Sequence, residues 1–243
     1  VVARGRAARR WREGARLFGI VGGGANAELV AAHEDALCEV PAALGLEDAG
    51  AIPEAFITAY DALVLQAGLV AGETILVHAV ASGVGLAAAQ LAHALGATAY
   101  GTSRSPAKLD AARAHGMAHG LALPDGPEPL ARRVRELTGG RGVDVVLDLL
   151  GGPYARAGAE ALATRGRLML VGSVAGGDLS LPLGLVMRNR LTIRGTVLRS
   201  RTLPERVQVT EAFARNVVPL LARGALHAVI DSRFPLAGIV AAH

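Results

Sequence analysis

The chain has 243 residues, 51% of them hydrophobic and 19% charged, enough to bury a sizeable core in one or two globular domains. One cysteine, Cys38, excludes an internal disulfide and a four-cysteine zinc site, and the seven histidines show no metal-ligand spacing, so no metal is expected. The net charge of +4 is unevenly spread: six arginines fall in the first 16 positions and no basic residue occurs from 17 to 103, which reads as a solvated start rather than a nucleic-acid contact.

Along the chain, residues 21–28 form a glycine-rich loop, 29–32 an extended piece, and 39–53 a linker carrying a short helix. Phe56, Ala59, Tyr60, Leu63 and Val64 recur at helical spacing, so residues 54–68 predict a helix with one buried face. The long apolar stretch 55–80 is interrupted by Asp61, Gln66 and Glu73 and does not predict a membrane span. Residues 74–79 then read as a parallel strand covered on both faces. Ser82, Gly83, Val84 and Gly85 turn the chain into an Ala-rich helix over 86–95 whose start carries no charge. Free N–H groups and the helix dipole would favour a pyrophosphate there. The match to G-x-G-x-x-G is imperfect, with Val80 and Ser82 in the first two glycine places and Gly85 in the third.

The strand-helix alternation continues. Strands are predicted at 98–102, 119–123, 143–148, 168–171 and 191–197, with helices at 105–115, 128–138 and 154–163. Ser105 and Pro106 read as N-cap and first helical residue. Six strands with intervening helices predict an α/β fold, a Rossmann-type doubly wound parallel sheet that binds ligands at the carboxyl ends of its strands. Beyond it lie a long helix over 204–223, a strand at 228–231 and a helix starting near Pro235.

An NAD site places a carboxylate on the ribose 2′-OH about 20 residues after the glycine turn. Residues 100–105 contain none, and Ser103, Arg104, Ser105 and Lys108, the chain's sole lysine, offer two hydroxyls and two cations instead. That set suits a 2′-phosphate and predicts NADPH as cofactor. By position, Leu150, Gly151 and Gly172 end strands where the nicotinamide ribose would lie, and Leu198 and Arg199 follow the last strand. Asp148 reads as a strand-end structural residue. No Ser-His-Asp set, paired carboxylates or activated cysteine is evident, so nucleophilic catalysis has no support and no catalytic residue is assigned.

Several runs together carry a family resemblance: WREGARLFG (11–19), AIPEAFITAYDAL (51–63), GETILVHAVASGVG (72–85), GTSRSPAKLDAARAHG (101–116), GVDVVLDLLGG (142–152), GRLMLVG (166–172) and LRSR (198–201). The chain resembles the zinc-independent quinone oxidoreductases, the zeta-crystallin-like branch of the medium-chain dehydrogenase/reductase superfamily. The resemblance implies a Rossmann domain (54–199) plus an incomplete GroES-like catalytic domain built from 1–53 and 200–243, with both chain ends lying inside that domain. It also places Thr58 and Tyr60 near the nicotinamide and phosphates. Ala15 stands where the family usually has Asp, while Ala118 and Leu123 replace an Asp and a Tyr, removing one contact near the adenosine phosphate.

The implied activity is NADPH-dependent hydride transfer to a quinone, in a cytoplasmic homodimer without membrane attachment. Two alternatives stand beside it. One is an NADPH-dependent enoyl or 2-alkenal reductase, acting on an activated alkene; the other is a non-catalytic NADPH-binding protein in a structural or RNA-binding role.

Overall fold

The LFG of the first motif becomes strand β1 (Leu17–Gly19), which pairs antiparallel with β2 (Leu37–Glu39) in the computed structural model, which describes residues 1–243. Between them residues 29–32 make no ladder; the predicted extended piece has no strand beside it, and Leu29 and Val30 are exposed. A short helix, α1 (Leu46–Gly50), and a π-helical turn, Pro53–Ile57, complete the first segment. The chain folds into two compact units, one made of Val1–Ile57 with Leu198–His243 and the other of Thr58–Val197.

The second unit opens on α2 (Thr58–Tyr60) and a further π-helical turn, Asp61–Gln66. The predicted single buried face is an underestimate. Every residue from Thr58 to Leu63 is buried, and Asp61 is accommodated by the Thr196 hydroxyl, which donates to its carboxylate at 2.9 Å. The strand-helix series follows as β3 (Thr74–Val77), α3 (Gly83–Ala94), β4 (Thr98–Ser103), α4 (Pro106–Arg113), β5 (Met117–Ala122), α5 (Leu130–Leu137), β6 (Val143–Asp148), α6 (Gly152–Ala161), β7 (Leu162–Leu170), α7 (Leu183–Asn189) and β8 (Thr192–Gly195).

All six strands run parallel in the order β5-β4-β3-β6-β7-β8. The chain therefore winds outward from β3 in one direction and from β6 in the other, and a crevice opens at the carboxyl ends of these neighbours. Small side chains let α3 lie close to the sheet: Ala87, Ala88, Ala89 and Ala92 are buried. One core cluster joins Leu76, Tyr100 and Leu121 of the strands to Leu130 and Val134 of α5 and Ala161 of α6.

Several element ends differ from the sequence reading. The helix α3 starts at Gly83 rather than 86 because Ser82 caps it. The helix predicted to reach 163 stops at Ala161, where Leu162 enters the sheet opposite Val143. In the first unit, the single helix predicted over 204–223 is two, α8 (Leu203–Asn216) and α9 (Val218–Ala222). Pro219 lacks the N–H that would bond the carbonyl of Arg215, so the helix cannot run through. Residues 228–231 form no strand, and the final helix is a 3-10 turn, Leu236–Gly238, leading into α10 (Ile239–Ala242). Phe213 of α8 meets Phe18 edge to face with centroids 6.3 Å apart, and the Cys38 thiol lies 3.6 Å from the Thr210 carbonyl.

Candidate functional site

At the carboxyl end of β3 the chain must leave the sheet and start a helix within a few residues. Ala79 takes a left-handed conformation, φ +48°, and its carbonyl accepts the Ser82 N–H at 2.9 Å. Ser82 then caps α3, its hydroxyl oxygen accepting the Gly85 N–H at 3.2 Å. A Cβ on Gly85 would sit 2.6 Å from the carbonyl oxygens of Ala79 and Val80, so only glycine permits this strand-to-helix approach. The first N–H groups of a helix have no intrahelical partner. With Gly85 satisfied by Ser82, the N–H groups of Gly83 and Val84 are left at the helix start, a donor pair fit for a phosphate oxygen.

Beside this turn lies a cleft of about 780 Å³. Its charged lining residues are Arg104 and Lys108; no Asp or Glu lines it. Both cations are exposed and form no ion pair. Cations near a helix start are unfavourable without an anion. The β4 end supplies the rest: Ser103 and Ser105 line the same wall, and the Ser105 N–H donates to the Ser103 hydroxyl at 3.2 Å. Ser105 occupies the N-cap position of α4 as predicted, with Pro106 next, yet its side chain makes no capping hydrogen bond.

The opposite wall hangs on Asp148. Its buried carboxylate accepts the Leu150 N–H at 2.9 Å and the Gly151 N–H at 3.0 and 3.1 Å. Burial raises its pKa, and the two amide donors pull the other way. Gly151 has φ +73°, and a Cβ there would lie 2.4 Å from the Gly176 carbonyl oxygen. The turn thereby bridges to Gly176, while Leu150 accepts the Ala175 N–H at 2.7 Å. Leu150, Val174 and Ala175 close the cleft on this side. Asp148 is thus committed to the backbone, as a strand-end structural residue.

Six of the sequence-predicted positions come together as lining residues: Ser82, Ser103, Arg104, Ser105, Lys108 and Leu150. Gly83, Val84 and Gly85 stand behind Ser82 at the start of α3. Gly151 and Gly172 support the Leu150 turn, and a Cβ on Gly172 would meet the Leu149 carbonyl at 2.5 Å. Thr58 and Tyr60 are buried in the helical segment that opens this unit, and Leu198 and Arg199 belong to a 3-10 turn of the other unit. Sequence reasoning missed Thr102, Tyr154 and the 174–175 loop as lining residues. Thr102 lies within β4 and Tyr154 within α6, so local position gave no signal for either; only the parallel register brings them to one cleft.

The residues present do not fit a zinc ion. No group of three or more His, Cys, Asp or Glu side chains could hold a metal, and the one cysteine is buried with its thiol on a backbone carbonyl.

Residues 83–215 match the zinc-binding dehydrogenase family model. A quinone oxidoreductase of Pseudomonas aeruginosa is 35% identical over 90% of this chain, which spans 67% of that protein's length. The spectinabilin polyketide synthase system protein of Streptomyces orinoci is 42% identical over 65% of the chain, which spans 7% of it. Among solved structures, a Pseudomonas syringae quinone oxidoreductase superposes with a TM-score of 0.87 at 29% identity, covering 99% of this chain and 74% of the other. A mycobacterial protein solved in complex with NADPH gives 0.90 at 28% identity, covering 100% and 75%. From the doubly wound sheet, the glycine turn at its switch point and these likenesses, the chain belongs to the zinc-binding dehydrogenase family, in the quinone oxidoreductase branch of the medium-chain dehydrogenase/reductase superfamily.

Proposed function

We propose that the chain binds NADPH in this cleft and is an oxidoreductase that passes hydride to a quinone. One observation carries the reading: Ser82, which caps a helix start with free N–H groups, lines one cleft with the unpaired cations Arg104, just after β4, and Lys108 of α4, and no carboxylate lines it. The Gly83 and Val84 N–H groups hold the pyrophosphate. Ser103, Arg104, Ser105 and Lys108 hold the 2′-phosphate, where a carboxylate would repel it. Leu150 and Gly151, fixed by Asp148, bound the nicotinamide ribose, and Thr58 and Tyr60 of the same unit add the contacts expected from the family. NADPH supplies the hydride when bound; the protein's task is to hold it against an electron-poor acceptor and exclude water. No side chain is assigned as a catalytic acid, and no step requires a metal.

The same reading takes the first unit as part of a GroES-like catalytic domain. It also takes the protein as a cytoplasmic homodimer. No helix is long and apolar enough to cross a membrane. β8 is an exposed edge strand carrying Ile193, with Leu183 and Met187 of α7 exposed nearby in sequence, a surface suited to self-association. A second reading, reduction of an activated alkene, draws on a specific likeness: the solved CurK enoyl reductase superposes with a TM-score of 0.81 at 25% identity, covering 99% of this chain and 71% of that one.

The test uses NADPH and NADH with the wild type and the Arg104→Ala, Lys108→Ala double variant. The NADPH preference should fall about tenfold or more, the worth of a charge-assisted hydrogen bond. An unchanged preference refutes the phosphate assignment. Initial rates with a naphthoquinone against a 2-alkenal decide between the two acceptors.

A further inference from the structure

In the second unit, Leu76 of β3 and Tyr100 of β4 belong to the apolar core that α5 and α6 cover. Two residues further on, where the strand alternation returns to the same face, the residues are His78 and Thr102, both buried. His78 Nδ1 lies 3.1 Å from the Thr102 hydroxyl oxygen. Its backbone N–H donates to the Leu147 carbonyl at 3.0 Å. His78 therefore ties β4 through its side chain and the end of β6 through its backbone, directly at the switch point.

The imidazole does more than fill space. Its Nε2 makes no well-aligned hydrogen bond, although the Tyr154 backbone carbonyl acts on the ring, an arrangement that an apolar side chain would avoid. A Cβ on Gly158 would come within 3.0 Å of Nε2, so α6 leaves room for this ring. Tyr154, which lines the cleft, meets the ring edge to face with centroids 5.7 Å apart. Burial pushes the His78 pKa down to about 4, with the Tyr154 backbone carbonyl acting in the opposite sense. The ring is neutral at physiological pH. Thr102 also lines the cleft, and its carbonyl accepts the Val80 N–H at 3.0 Å. Ser103 and Arg104 follow it in the chain.

We propose that His78 is a positioning residue for the cleft: its hydrogen bond to Thr102 holds the β4 end so that Ser103 and Arg104 face a nucleotide 2′-phosphate. The proposal rests on the NADPH reading. It predicts that loss of the bond weakens recognition of the phosphate selectively, which a merely structural role would not do.

The experiment measures NADPH and NADH dissociation constants by fluorescence, with thermal unfolding as a check on folding, for wild type, His78→Phe, His78→Asn and Thr102→Val. His78→Phe and Thr102→Val should each raise the NADPH constant about three- to tenfold and the NADH constant much less. His78→Asn, which keeps a polar atom near the Nδ1 position, should restore most of the selectivity. The double variant His78→Phe, Thr102→Val should be no worse than either single one, since both remove the same bond. If His78→Phe fails to fold, the nearly isosteric Thr102→Val carries the test. An unchanged NADPH-to-NADH ratio in a folded variant, or equal loss of both cofactors, overturns the proposal while leaving the NADPH reading intact. Failure of the wild type to bind NADPH overturns both.

Discussion

Removing the Asp148 carboxylate tests the construction of the cleft wall most directly. In Asp148→Ala the Leu150 and Gly151 N–H groups both lose their acceptor, at 2.9 and 3.0–3.1 Å. The buried Gly151 donor left unsatisfied costs about 1–3 kcal/mol and the half-buried Leu150 donor less, and relief from burying a carboxylate offsets part of the sum. The expected loss is about 1–3 kcal/mol of stability. Asp148→Asn should cost about 1 kcal/mol or less, because Oδ1 alone already reaches both donors.

The pH dependence has a definite sign. The pKa of Asp148 is raised in the fold by burial, so the folded state takes up its proton more readily than the unfolded chain. Its contribution is complete below the unfolded value of about 4 and is lost as pH rises through the folded value. Wild type should therefore lose stability relative to the non-titrating Asp148→Asn as pH rises across that window. Urea unfolding followed by circular dichroism at several pH values measures both effects. An Asp148→Ala variant within about 0.5 kcal/mol of wild type would refute the reasoning, as would an Asp148→Asn as damaging as the alanine.

Two further outcomes are expected. Ala79→Gly should raise stability by up to about 1 kcal/mol, because glycine takes the φ +48° conformation without the cost borne by alanine; a lowered unfolding midpoint would contradict this. Cys38 should resist a thiol reagent at pH 8 in the folded protein and react on unfolding, since burial pushes its pKa up to about 11 despite the opposing charge of Arg10. Rapid modification of the native protein would show that the thiol is not buried.

Much of the second unit was legible in the sequence because its signals are local. The β-branched run at 74–77, the Ala-rich stretch after Gly85 and the Val143–Asp148 strand each combine propensity with periodicity over a few residues. The same holds for the pairing of Ser103 with Arg104 and Lys108, which needs only a strand end and the next helical turn. Element ends were less legible. Whether residue 162 continues a helix or joins a strand depended on Val143, nineteen positions away, and the break at Val217 followed from Pro219, a local signal that the long amphipathic pattern overrode.

The sequence by itself determined the α/β alternation, the tight turn at Gly85 and the missing carboxylate that favours a phosphate at the β4 end. Only the tertiary structure decided which distant residues meet there. Parallel pairing of β3 with both β4 and β6 brings His78 to Thr102 and sets the Asp148-bound turn across the cleft from Arg104. Strand order is set by burial of both sheet faces and by long-range hydrogen bonding, and neither leaves a mark on the local spacing of residues.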